Sequence, residues 1–186
     1  MKKRYLFALL IYGCLGGCAE QGCQSFASQE TTLCIPSKSV LGSLWFLGKV
    51  SRNEIGFRMG EAASADLVTV TLTRRDYFCR RNEGSRFCRP GVSDEREDQE
   101  GRDVIRVYSN EQKSFWDYQI SGVEGGHSVA NCSAIPNQPD VGRCILAGAY
   151  KDIIYSAIFI DTRTGGALRV RSDVEQQIRH WEVSKG

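Results

Sequence analysis

The chain has 186 residues, 41% of them hydrophobic and 25% charged, and a formal net charge of +2. One domain with a sizeable core fits that length. Lys2, Lys3 and Arg4 carry three of the positive charges, so the remainder is close to neutral, which excludes a general electrostatic case for a nucleic-acid partner.

Directly after the three cations comes an apolar run, Tyr5–Tyr12. A membrane-spanning helix needs roughly 20 apolar residues, and this run is far shorter. No later apolar stretch is long enough either. The charge followed by a short apolar run reads as a cleavable export signal over residues 1–17. Leu15-Gly16-Gly17-Cys18 follows, and it resembles the lipobox read by lipoprotein signal peptidase. The chemistry suits the residue types: two small residues let an extended backbone enter a protease cleft, and the cysteine thiol receives the diacylglycerol. A second box, Ile11-Tyr12-Gly13-Cys14, puts bulky Tyr12 where a small residue is preferred and cuts the apolar run short. The resemblance therefore implies lipidation at Cys18. Three acyl chains, the usual lipoprotein product, exceed what stable anchoring requires. Ala19, rather than Asp, follows the cysteine. In enteric bacteria that implies the outer membrane, facing the periplasm.

Residues 18–33 are small and polar and are expected to be a lipidated tether, with a single globular domain over 34–186. With Cys14 lost in the signal and Cys18 lipidated, six cysteines remain: Cys23, Cys34, Cys79, Cys88, Cys132 and Cys144. An even remainder in an exported chain points to disulfides, with 15 possible connectivities. Spacing favours the local pairs Cys23–Cys34, Cys79–Cys88 and Cys132–Cys144, although Cys34 is also suited to joining the N-terminal segment to a strand. There is no C-x-x-C pair, and His127 and His180 are the only histidines, so no metal site is expected.

Strand patterns then follow in order. Val40–Val50, Ile55–Met59, Leu67–Thr73, Val104–Tyr108, Phe115–Ile120 and Ser128–Ile135 are short, partly alternating and rich in β-branched and aromatic residues. Arg143–Tyr150 and Ile153–Ile160 flank Lys151-Asp152, which reads as a tight hairpin turn. Ile153–Ile160 is the most hydrophobic segment and is expected as a central strand. Between them, Tyr77–Arg102 is unusual. Arg74, Arg75, Arg80, Arg81, Arg86 and Arg89 lie in or beside the Cys79–Cys88 loop, and Asp94, Glu95, Glu97, Asp98 and Glu100 follow at once. Read plainly, this is a solvated hairpin with compensating charges. Read functionally, it is a charged protein-binding surface, braced so that little entropy is lost on docking. At the end the period changes. Ser172 and Glu175 fit a capping box, and Val174, Ile178 and Trp181 recur on one helical face, predicting a helix over 173–183. The expected class is α+β, mainly β: an antiparallel sheet with one C-terminal amphipathic helix, stapled by disulfides.

One catalytic pattern arises. Gly126-His127-Ser128-Val129-Ala130 resembles the nucleophile elbow of serine hydrolases, with Asp161 and His180 following in the α/β-hydrolase order. That elbow needs a strand–turn–helix in a parallel sheet, whereas Ser128 begins a strand pattern. There is also no H-E-x-x-H, P-loop or dinucleotide fingerprint, so neither an enzyme nor a cofactor is expected.

What remains is binding. Cys34-Ile35-Pro36, a Cys-loop-Cys feeding the hydrophobic hairpin at 132–160, and a closing helix ending in Trp181 are together similar to small periplasmic lipoproteins encoded beside type VI secretion effectors. Some of those are immunity proteins. The resemblance implies a protein partner, a toxin acting on the envelope, with Arg80, Arg81 and Arg86 contributing to the contact. The alternative is a structural or accessory lipoprotein whose partner is an envelope component.

Overall fold

The computed structural model describes residues 22–41, 52–60, 67–88, 104–120, 128–161 and 166–183. Within them the chain runs β1 (Cys23–Ala27), β2 (Thr32–Pro36), β3 (Glu54–Met59), β4 (Val68–Arg74), α1 (Arg75–Arg81), β5 (Val104–Tyr108), β6 (Phe115–Ile120), β7 (Ser128–Ile135), β8 (Gln138–Tyr150), β9 (Ile153–Asp161) and α2 (Gly166–Trp181). β1 and β2 pair as a hairpin, and the other described strands form a seven-stranded sheet in the order β3-β4-β9-β8-β7-β6-β5. Every neighbouring pair is antiparallel. The class is the expected one, mainly β with a closing helix.

Strand alternation explains the core. Phe57, Val70, Ala157, Leu146, Ala130 and Tyr118 stand opposite one another across six strands, and all are buried. A parallel row places Trp116, Cys132, Cys144 and Phe159 side by side on the same face. Two glycines make room for the large rings. A Cβ on Gly142 would collide with the indole of Trp116, and one on Gly148 with the phenol of Tyr155, its partner across β8 and β9.

Helix α2 closes this face with Ala167, Val170, Val174 and Ile178. Full burial of a Val or Ile side chain contributes about 1.5–3 kcal/mol, so these contacts outweigh the helix's weak intrinsic propensity. The helix begins at Gly166, not at 173 as expected, because Ala167 and Val170 continue the apolar stripe backwards from Val174. Ser172 is therefore an exposed mid-helix residue and not a cap. Glu175 turns inward and is only 2% exposed. It accepts a hydrogen bond from Tyr155 Oη at 2.7 Å and one from Arg171 Nε at 3.3 Å. A second buried acid, Asp161, ends β9 and accepts from Tyr118 Oη. Arg106 Nη2 donates to the same phenol at 2.8 Å and lies 3.7 Å from Asp161. Burial, together with the bond to Asp161, raises the Tyr118 phenol above its ordinary range. A Cβ on Gly166 would meet Asp161, so the first residue of α2 sits directly against this acid.

The described part of the expected 18–33 tether is not a tether. From Cys23 onward the chain is a folded hairpin, because Phe26, Leu33 and Ile35 supply an apolar face that joins the core. One turn clasps it to the sheet. Asp152, between β8 and β9, accepts from Ser28 Oγ, Thr31 Oγ1 and the Glu30 amide at 2.8–2.9 Å. Beside it Lys151 and Tyr150 both donate to Glu182 just after α2. The hairpin turn at Lys151-Asp152 is as the sequence indicated. β9 is interior to the sheet, but the central strand is β8, which starts at Gln138, five residues before the expected 143. Most of the expected Val40–Val50 strand lies outside the described residues. Its described start, Val40–Leu41, bridges antiparallel to β3 at Phe57, with Arg58 N donating to Ser39 O and Leu41 N to Gly56 O, both at 2.9 Å.

Candidate binding surface

The arginine-rich loop is not a simple hairpin. β4 ends at Arg74, and the chain turns at once into α1, a helix that sequence periodicity did not indicate because it has no buried residue to create an apolar stripe. Its ends are matched to the helix dipole instead. Asp76 lies in the first turn and Arg80 and Arg81 in the last. Asn82 closes the end, its Nδ2 donating to the Phe78 carbonyl at 3.0 Å. A single turn of 3-10 helix, Arg86–Cys88, brings Cys88 back to Cys79. The other two disulfides are Cys23–Cys34 and Cys132–Cys144, so the three local pairs are present.

The braced loop sorts its guanidinium groups onto aromatic rings. Arg81 lies 4.5 Å from the centre of the Tyr77 ring and Arg80 6.0 Å from it on the same residue. Arg86 lies 4.8 Å from the Phe87 ring, which meets Phe78 edge-on. Asp76 accepts from Arg74 Nε at 3.1 Å and lies 3.5 Å from Arg80. Held against a ring in this way, a guanidinium loses less entropy on docking and can offer its hydrogen-bonding edge to a carboxylate, as Arg80 does to Asp76. Arg80 and Arg81 are exposed and Arg86 is half-buried. The structure thus brings the three predicted arginines into one small knob. The acidic cluster Asp94–Glu100 and the lipidation candidate Cys18 lie outside the described residues.

A second surface was missed. The sheet face away from α2 has no helix over its centre among the described residues. There Ile145 and Ile158 form a cross-strand pair, 50% and 43% exposed, in the middle of the sheet. Thr69 and Asn131 flank them in the same row, followed by Asp117 and Val107. Ile105 and Phe115 are also exposed. The signal was available in the sequence: Ile158 has the opposite parity to Tyr155, Ala157 and Phe159, and so must face the other way.

The residues of the hydrolase pattern are engaged separately. Ser128 Oγ donates to the Ala130 carbonyl within β7 at 3.2 Å. Asp161 is held by Tyr118 and Arg106. His180 is exposed on the last turn of α2. Among the described residues no cluster of His, Cys, Asp or Glu is placed to hold a metal ion, and no helix is long and apolar enough to cross a membrane.

The sequence matches no protein-family model and no curated protein.

Proposed function

We propose that this chain is a lipid-anchored protein of the bacterial envelope that acts by binding another protein, and that its partner is a toxin acting on that envelope. The observation that carries the reading is the stapled knob. Arg80, Arg81 and Arg86 lie over aromatic rings beside the Cys79–Cys88 disulfide, and Arg80 is also paired with Asp76 at 3.5 Å. Arginine and aromatic side chains dominate the energetics of protein interfaces, and a braced cationic knob suits an acidic cleft. The lipobox at Cys18 supports placement where such a toxin arrives.

The test is competition between sister cells. A strain lacking this chain is expected to be killed by toxin-delivering neighbours and rescued by the native chain. Rescue should fail with Arg80→Glu, Arg81→Glu and Arg86→Glu combined, in a protein whose thermal unfolding is unchanged. Equal survival with and without the chain would overturn the immunity reading and leave the accessory envelope role to be tested against loss of an envelope assembly.

A further inference from the structure

The place of Gly22, the first described residue, restricts how a domain anchored at Cys18 sits on its membrane. Gly22 is held in the fold. Its carbonyl accepts from the Ser37 amide, and it lies at the rim of an open cavity of about 700 Å³ that also holds Lys38, His180, Trp181 and Val183. Only residues 19–21 separate Gly22 from Cys18. Four residue steps span at most about 14 Å even when fully extended. A domain of this size is roughly 35–40 Å across, since its radius of gyration is about 16 Å. A leash that short holds the surface beside Gly22 near the headgroups and keeps the opposite face away from them.

The side chains around Gly22 suit that position. Trp181 is half-buried, with its ring edge-on to Phe57 at 4.7 Å. Val183 is 47% exposed, and Lys38 is exposed beside the same cavity. An indole, an aliphatic side chain and an ammonium together match the interfacial layer of a bilayer with anionic lipid. The surface lies on the helix side, because Trp181 ends α2 and Phe57 belongs to the buried row. The Ile145–Ile158 pair is on the other face of the sheet.

We infer that the cavity beside Gly22, rimmed by Lys38, Trp181 and Val183, is the membrane-apposed surface of this protein, and that the open sheet face is thereby presented to the aqueous side. The inference rests on acylation at Cys18, the same anchor the proposed function uses.

The native, full chain is purified in its lipidated form and placed in phosphatidylethanolamine–phosphatidylglycerol vesicles containing a lipid with a photoactivatable headgroup. Adducts are mapped by mass spectrometry. Peptides carrying Lys38 and Val183 are expected to be enriched in adducts over those carrying Ile145 and Ile158. Equal labelling of both faces, or enrichment at Ile145 and Ile158, with an acylated Cys18 in the intact mass, overturns this inference alone. An intact mass without acyl groups overturns the anchor itself and this inference with it. Adducts at the Gly22 cavity that fall on adding phosphatidylcholine in place of the anionic lipid support a charge contribution from Lys38.

Discussion

Tyr155 in the middle of β9 donates its phenolic proton to Glu175 of α2 at 2.7 Å, in the interior between sheet and helix. This bond fixes the rotation of the helix, because Glu175 must face inward along with Val174 and Ile178. Removing the phenol leaves a buried carboxylate short of a donor, which costs about 1–3 kcal/mol. Tyr155→Phe is therefore expected to lower the urea midpoint substantially. Glu175→Leu combined with Tyr155→Phe should recover part of the loss, since an apolar pair of similar shape removes the buried acid that lost its phenolic donor. Urea denaturation of the two variants checks this.

Ile145 and Leu146 are adjacent on β8 and face opposite ways, one 50% exposed and the other 1%. Leu146→Ala is expected to cost about 2–5 kcal/mol through the cavity it leaves. Ile145→Thr should change stability by less than about 1 kcal/mol, because it keeps β-branching on a wet face. Comparable losses for both would contradict the assignment of an open sheet face.

Gly142 and Gly148 are both expected to resist alanine. Each substitution drives a methyl into a ring, that of Trp116 or that of Tyr155. Overpacking of this kind costs about 1–3 kcal/mol. Thermal melts of Gly142→Ala and Gly148→Ala should both shift down, while Gly84→Ala, which has open space around it, should not.

Asp152 connects stability to pH. Its burial alone would raise the carboxyl, but bonds from the Glu30 amide and from the Ser28 and Thr31 hydroxyls outweigh it and hold the group below its ordinary value. A carboxylate lowered on folding adds stability that is complete above its unfolded value, near 3.9, and is lost as pH falls through the folded one. The native protein is expected to lose stability on acidification below about pH 4, and Asp152→Asn to weaken that dependence. Stability measured from pH 7 down to pH 2 decides it.

The Cys79–Cys88 bond closes a loop with a sequence separation of 9, worth about 2–3 kcal/mol in chain entropy. None of the residues of α1 is buried, so that stabilisation belongs to the knob and not to the sheet. Cys79→Ser with Cys88→Ser should raise hydrogen exchange in α1 while leaving β8 and β9 protected. Affinity for a partner that docks on the knob should fall through a faster off-rate.

Much of the fold was legible where one force acted alone. Strict alternation marked β4, and the Lys151-Asp152 turn stood out between two apolar runs. The errors arose where two signals competed. Ser172 and Glu175 have the spacing of a capping box, yet Glu175 is taken by Tyr155, a residue remote in sequence. The polarity of residues 19–33 concealed Phe26 and Leu33, whose burial depends on the distant Asp152 clasp. α1 is held by Asp76, Asn82 and a disulfide, none of which produces hydrophobic periodicity. Of the candidate site, the arginines were visible as a cluster, but the rings that order them were not.

The sheet order has a consequence for time. β5 to β9 form a run in which each strand pairs with the one made just before it, so that part can zip up as it emerges. β4 cannot join in this way: its partners on β9, from Arg74↔Ile153 to Thr69↔Ile158, are 79 to 89 residues further along the chain. Until β9 exists, the β3–β4 hairpin carries a bare edge of Val, Thr and Leu, the kind of strand that recruits wrong partners. The last of the described strands to be synthesised is thus the one that joins the two halves of the sheet, and the β3–β4 edge stays open throughout the synthesis of β5 to β8.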